Sequence, residues 1–357
     1  MSKLNILTVL LLILTLKITA QSKTINIDVT KNDKLNISQI AEGLMVIPLN
    51  FIDMDEPSVS QVVLSNKHIY VLISYNVGTD PEGIIYQINM EGKLIGEVGS
   101  RDAKSNGFNN PLGLFYSEEK KELHIVYNDF IAIYDENRKL KRKIESIRIK
   151  GIYHIFNNRF WELEKIIDMD NKQARYKWIS TDLSTLKTDT IFSYLRLFSE
   201  ERIFSGTSFS DADDILYFTH DYENEIIGID IHNKVDKVYT FNFINTAVDL
   251  SGNVVHPRRN IFSRYINYGY KIRPGERYCF IYDKKNEKGY NIRLRRSEGR
   301  KLLSGINDDF LNTGYFEIKS INSSDYGFFT KQGFEVSSII NGIENERNPV
   351  LFLIKFK

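Results

Sequence analysis

His68-Ile69-Tyr70-Val71-Leu72 is followed, after a break, by Ile84-Ile85-Tyr86-Gln87-Ile88-Asn89-Met90-Glu91-Gly92-Lys93-Leu94-Ile95-Gly96-Glu97-Val98. The first run is aromatic and β-branched, and the second alternates on both sides of a polar tip at Glu91-Gly92-Lys93, so both read as strands joined by tight turns. Such a phrase makes one small antiparallel sheet. Alone it cannot bury both of its faces, and recurrence along the chain would let neighbouring copies cover one another.

The phrase does recur. Glu122-Leu123-His124-Ile125-Val126-Tyr127 leads to Phe130-Ile131-Ala132-Ile133-Tyr134 and a tip at Asn137-Arg138-Lys139. A third copy runs from Arg159-Phe160-Trp161-Glu162-Leu163 to Tyr176-Lys177-Trp178-Ile179-Ser180, and a fourth from Ile215-Leu216-Tyr217-Phe218-Thr219 to Ile226-Ile227-Gly228-Ile229-Asp230-Ile231. The fifth sets Arg277 to Tyr282 before Gly289 to Leu294, with its tip at Ser297 to Lys301; the sixth pairs Tyr326 to Thr330 with Val350 to Phe356. Tyr70 to Phe328 spans five intervals of about 52 residues, near the length of a four-stranded blade with its loops. The expectation is an all-β, six-bladed β-propeller of four-stranded antiparallel blades, with five or seven blades as the alternative counts.

A ring has to close, because an unpaired edge on the last blade invites aggregation. Leu44-Met45-Val46-Ile47-Pro48-Leu49 reads as a strand without a partner in the first copy, and it is expected to pair as an outer strand with Val350 to Phe356. Pro48 suits an edge position. The domain assignment is therefore 1–20 as signal peptide, 21–40 as a polar leader with little claim to a core place, and 41–357 as one propeller. One turn of helix is expected at Asp309-Phe310-Leu311-Asn312.

The first twenty residues carry a cationic Lys3, an apolar run from Ile6 to Leu16 and a small residue, Ala20, before Gln21, the pattern of a secretory signal. The apolar run is too short to span a bilayer, which needs about 20 residues. Loss of Lys3 and Lys17 would leave 45 cationic side chains against 46 acidic ones, from 47 and 46 in the whole chain. That balance gives no ground for a nucleic-acid partner or an anionic membrane surface. A single cysteine, Cys279, permits no internal disulfide and does not stand where a lipid anchor would need it. The mature chain is expected to be exported, periplasmic or secreted, soluble, not a lipoprotein, and monomeric.

Gly107-Phe108-Asn109-Asn110-Pro111-Leu112-Gly113-Leu114 resembles the opening of NHL-type propeller repeats, and Glu91-Gly92-Lys93 and Asn137-Arg138-Lys139 resemble their tips. With the opening at Val46-Ile47-Pro48-Leu49 and the close at Asn348-Pro349-Val350-Leu351-Phe352, the chain is similar to exported six-bladed propellers of Bacteroidetes, NHL-like or TolB-like. The resemblance is good over residues 44–145 and at the C-terminus and thin through the third to fifth copies. The loop at Arg101-Asp102-Ala103-Lys104-Ser105-Asn106 departs from the family's Gly-Pro-Gly-Glu. That family shares a fold without a common catalytic motif, so the resemblance implies architecture and leaves function open.

The histidines are dispersed, with no zincin spacing and no cysteine cluster, and no phosphate-cradling glycine loop is present. Gly206-Thr207-Ser208-Phe209-Ser210 lacks the final glycine of a nucleophile elbow. No catalytic residue is assigned. Asp211, Asp213 and Asp214 precede an expected innermost strand and are the candidate ligands should a calcium ion be held at the channel, as in lactonase-like propellers; otherwise they form a solvated turn, and no cofactor is expected. The candidate ligand-binding residues are His256, Arg258, Arg259 and Tyr265, in the long connection before the fifth copy. There arginine forks suit a carboxylate or sulfate, and tyrosine faces suit a sugar. The preferred reading is a non-enzymatic propeller that binds a protein partner or a small-molecule or glycan ligand at one face. Its rival is a calcium-dependent hydrolase or lyase.

Overall fold

The computed structural model describes residues 22–77, 80–99, 110–145, 147, 149, 152–168, 170–171, 173–197, 207–220, 225–245, 255–273, 276–297, 302–321 and 325–357. Strand β1 (Lys23–Asp28) and a 3-10 turn (Ile37–Gln39) precede β2 (Ala41–Pro48). Blade one is β3 (Ser58–Leu64), β4 (His68–Val77), β5 (Asp80–Asn89) and β6 (Leu94–Val98). Blade two is β7 (Gly113–Ser117), β8 (Glu122–Val126), β9 (Ile131–Asp135) and β10 (Leu140–Ile144). Blade three is β11 (Ile152–Phe156), β12 (Arg159–Asp168), β13 (Gln173–Asp182) and β14 (Thr188–Leu197). Blade four is β15 (Thr207–Ala212), β16 (Ile215–His220), β17 (Glu225–Asp230) and β18 (Val235–Ile244).

Blade five holds β19 (Val255–Ile261), β20 (Tyr265–Arg273), β21 (Glu276–Asp283) and β22 (Lys288–Arg296), with a short edge strand β23 (Leu302–Ser304). The hairpin β24 (Ile306–Asp308) and β25 (Gly314–Phe316) intervenes before blade six, which is β26 (Lys319–Ser320), β27 (Tyr326–Gln332) and β28 (Pro349–Phe356). The outer strand of that last blade is β2, antiparallel to β28 with Val46 opposite Phe352 and Pro48 opposite Val350. The six-bladed ring and its closure by Leu44 to Pro48 are as expected from the sequence. The expected helical turn at 309–312 is instead a loop whose amides at Phe310 and Leu311 donate to the Asp308 carboxylate. The helix of the described residues lies further on, α1 (Gly333–Val336).

One local device repeats. At the hairpin between the third and outer strands, a side-chain oxygen of Asn89, Asp135, Asp182, Asp230 or Asp283 accepts from two backbone N–H groups just ahead of it. Asn and Asp suit this role because their short side chains close an Asx turn on their own backbone. The sixth blade has no such hairpin, since its outer strand comes from the other end of the chain.

This device corrects the reading of the fifth copy. Asp283 caps the hairpin between β21 and β22, so Arg277 to Tyr282 lies in the third strand of its blade, and the second strand is β20. Alternation identifies a strand without saying which place it takes in a blade.

The leader also needs correction. Residues 22–40 form a strap across blades four to six: β1 lies parallel to β18 as a fifth strand, Asp33 exchanges hydrogen bonds with Asn291, and Leu35 accepts from Asn307. Ile25 and Ile27 enter the core between blades four and five, while Leu35, Ile37 and Ile40 enter that between blades five and six. Lys23-Thr24-Ile25-Asn26-Ile27-Asp28 is a half-buried strand whose few apolar residues all point inward.

Aromatic rings carry much of the core between blades three, four and five, and aliphatic side chains carry most of the rest. Trp178 meets Phe218 edge-on at 4.1 Å across blades three and four, and Phe241 stacks on Tyr268 at 4.3 Å across blades four and five. Cys279 is buried, its thiol pushed far above the ordinary range by desolvation, and it donates to Asn267 Oδ1 at 3.2 Å, an inert packing residue.

Candidate functional site

Innermost strands end in turns that gather at one mouth of the ring. The β11–β12 turn is Asn157-Asn158 and the β15–β16 turn is Asp213-Asp214, each with both residues at positive φ, the two-residue hairpin that matches strand twist. Asn and Asp are among the few non-glycine residues that adopt this conformation readily. Turn geometry therefore accounts for the acidic pair at 213–214 before any ligand does.

These turns enclose a vestibule of about 530 Å³. Ser65 and Asn66 line it from blade one, Tyr116 to Glu119 from blade two, Ile155 to Asn158 from blade three, Asp211 to Asp214 from blade four and Tyr326 from blade six. Its carboxylates are Glu118, Glu119, Asp211, Asp213 and Asp214, and among the described residues no lysine or arginine lines it. Glu118 is tied down: it accepts from the Asn66 backbone N–H at 2.7 Å and side-chain amide at 3.1 Å, joining blades one and two. Asp211 holds His154 Nε2 at 2.7 Å, joining blades four and three, and Asp213 lies 3.5 Å from Lys284 Nζ. Glu119 and Asp214 are exposed at the rim.

Asp211 and Asp213 thus point to separate partners, and Asp214 is exposed. Among the described residues no group of three or more His, Cys, Asp or Glu side chains is placed to hold a metal ion. The candidate ligand-binding residues are distributed differently from expectation. His256, Arg258 and Arg259 fall on β19, the innermost strand of blade five, rather than in a loop, and their side chains lie outside the described residues. Tyr265 is buried, its ring 5.3 Å from that of Phe356, and Tyr268 and Tyr270 are buried in the blade four to five core, so none offers a face to a sugar. The aromatic faces predicted for stacking are used by packing.

His124, on β8 beneath the vestibule, has a signal that sequence reading missed. Its ring is buried with neither nitrogen hydrogen-bonded, and Glu122 stands 3.6 Å from Nε2. Burial lowers its pKa to about 4, outweighing the upward pull of Glu122. The folded state therefore refuses a proton that the unfolded chain accepts near pH 6.5, and stability falls as pH drops from there toward 4. Urea denaturation is expected to show the wild type losing about 2–3 kcal/mol between pH 7 and pH 4.5 relative to His124→Phe. Parallel losses in the two proteins would refute this.

A protein of Bacteroides fragilis described as exported matches this structure with a TM-score of 0.58 and 15% identity over 94% of this chain and 99% of its own. A DUF4221 family member from Bacteroides vulgatus matches at 0.48, with 12% identity over 89% and 97%. Virginiamycin B lyase from Staphylococcus aureus, solved with quinupristin, matches at 0.42, with 11% identity over 87% and 99%. The first likeness shows a shared fold. No protein-family model matches the sequence, and no curated protein is recognisably similar to it.

Proposed function

We propose that the chain is an exported, non-enzymatic propeller that binds a cationic segment of a partner protein in the vestibule. The observation that supports this is a concave axial space of about 530 Å³ with five carboxylates, aromatic walls at Phe115, Tyr116 and Phe156, and no lysine or arginine among its described lining. Such a space concentrates positive charge by field focusing and supplies apolar surface for the stems of lysine or arginine. Export is inferred from the N-terminal signal pattern.

Tetralysine is a direct probe. Titration calorimetry at low salt is expected to show binding that weakens with ionic strength and drops about 3- to 10-fold in Glu119→Gln/Asp214→Asn, two exposed rim charges of modest individual worth. Binding unaffected by that double substitution would defeat the vestibule assignment. Calcium separates the rival reading: a melting temperature raised by calcium and restored by chelator would favour the metal-dependent hydrolase or lyase, whereas the binding reading expects no shift.

A further inference from the structure

Each blade ends in an outer strand whose far edge has no neighbour inside the ring, and such an edge has to be guarded against stray pairing. In blade one, β6 is five residues long, and its Ile95 carbonyl accepts from Arg138 Nη1 at 2.6 Å. In blade two, β10 is Leu140-Lys141-Arg142-Lys143-Ile144, with cations at its three central positions. The outer strands β18 and β22 are covered by the shorter β1 and β23, and β2, the outer strand of blade six, ends in Pro48.

Blade three is the exception. Its outer strand β14, Thr188-Asp189-Thr190-Ile191-Phe192-Ser193-Tyr194-Leu195-Arg196-Leu197, is ten residues long without glycine, proline or lysine, and no described strand pairs with its far edge. Leu195 is 55% exposed, and Ile166 on β12, at 45%, lies on the same face beyond Arg175 of β13. A long, apolar, unguarded edge is a template for a further strand.

The register of β14 selects the strand that fits. Against β13, Ser193 stands opposite Lys177, and Ile191 is the extra residue of a bulge between Thr190, opposite Ile179, and Phe192, opposite Trp178. Because the bulge absorbs Ile191, the strand counts equally in both directions from Ser193: Phe192 and Tyr194 stand one place away, Thr190 and Leu195 two, Asp189 and Arg196 three, Thr188 and Leu197 four. A second β14 laid antiparallel about a two-fold axis at Ser193 therefore sets each of these residues opposite its counterpart, on the same face of the sheet. Aromatic meets aromatic, both threonines meet leucines, and Asp189 meets Arg196 at both ends. The Asp189 side chain is 42% exposed, and its contacts within the blade are long, 3.4 Å to Arg159 Nη2 and 3.6 Å to Lys187 Nζ.

We propose that β14 is a homodimer interface, in which two copies of this chain pair their third blades edge to edge, antiparallel, with Ser193 on the two-fold axis. The two four-stranded blades then form one sheet, in place of the monomer expected from sequence. The interface lies on the outer rim of the ring and does not depend on the vestibule. Sedimentation velocity of the full mature chain tests it. One strand pair is a small interface, so a dimer is expected at about 100 µM that dissociates on dilution toward about 1 µM. Arg196→Asp sets like charges opposite each other twice and should weaken the dimer at least about tenfold, while Asp189→Arg/Arg196→Asp restores opposite charges and should recover it to within about threefold of wild type. Ser193→Cys should oxidise to a covalent dimer, since in this register that residue faces its own copy, and Thr188→Cys, opposite Leu197, should not. Cys279 is buried and does not compete. The melting temperature of each variant reports whether it is folded. A chain that stays monomeric at the highest concentration, including one whose edge pairs only with another protein's strand, would overturn the proposal. So would folded Arg196→Asp with the wild-type dissociation constant, a folded double swap no better than the single one, or equal cross-linking of the two cysteine variants.

Discussion

Removing residues 22–40 from the mature chain is expected to abolish its cooperative thermal transition. The strap carries Ile25, Ile27, Leu35, Ile37 and Ile40, each at most 2% exposed. Truncating one buried isoleucine or leucine to alanine costs about 2–5 kcal/mol, so losing five at once, about 10–25 kcal/mol, matches or outweighs the roughly 5–15 kcal/mol by which a domain is stable. The deletion also strips β18 of its parallel partner and leaves Asn291, whose amide donates to the Asp28 carbonyl at 2.9 Å, without its neighbours. Ile37→Ala is the graded version, with an expected loss of about 2–5 kcal/mol in urea denaturation. A deletion protein that melts cooperatively at the wild-type temperature would show that the strap is a passenger.

Phe352→Ala is expected to cost about 3–5 kcal/mol, because it empties the seam where the ring closes. Phe352 sits on β28 between Val46 of the N-terminal strand and Phe329 of β27, fully buried. Its ring stacks on Phe329 at 4.5 Å, and Phe329 stacks on Phe316 at 3.9 Å, so one truncation leaves a row of aromatics without its end. Phe334 gives the contrast in the same region: at 64% exposure it leaves little cavity when truncated, and Phe334→Ala should stay within about 0.5 kcal/mol of wild type. Equal effects from the two substitutions in chemical denaturation would contradict this account of the closure.

Much of the architecture was legible because a blade is a local unit. Tyr70 and Tyr86, Tyr134, Trp161 and Trp178 stand at the apolar positions of short alternating runs, and those runs are strands of their blades. The closing strand could be found because Val46-Ile47-Pro48 was a strand without a local partner. The strap was missed for a compositional reason: Ile25 and Ile27 are sparse among polar residues, and only a neighbouring edge, that of β18, makes their alternation a strand. In blade five the signal was present in Asp283, an Asx cap like those at Asp135 and Asp230, but the tyrosines of β20 look alike whether they stack on a sugar or on Phe241.

The candidate sites follow the same division. Asp213 and Asp214 could be read as an acidic turn from sequence, whereas the meeting of Glu118, Asp211 and Asn157 at one mouth depends on three blades placed side by side. Likewise, only the bulge at Ile191, seen in the pairing with β13, places Asp189 and Arg196 on one face of β14. Sequence by itself determined the repeat, the strands within most blades and the way the ring closes, because hydrophobic alternation and turn chemistry act over a few residues. Tertiary structure alone decided which side chains share the axis. Each blade contributes one innermost strand, and the angular order and register of those strands are set by packing between blades, a long-range property that no local pattern encodes.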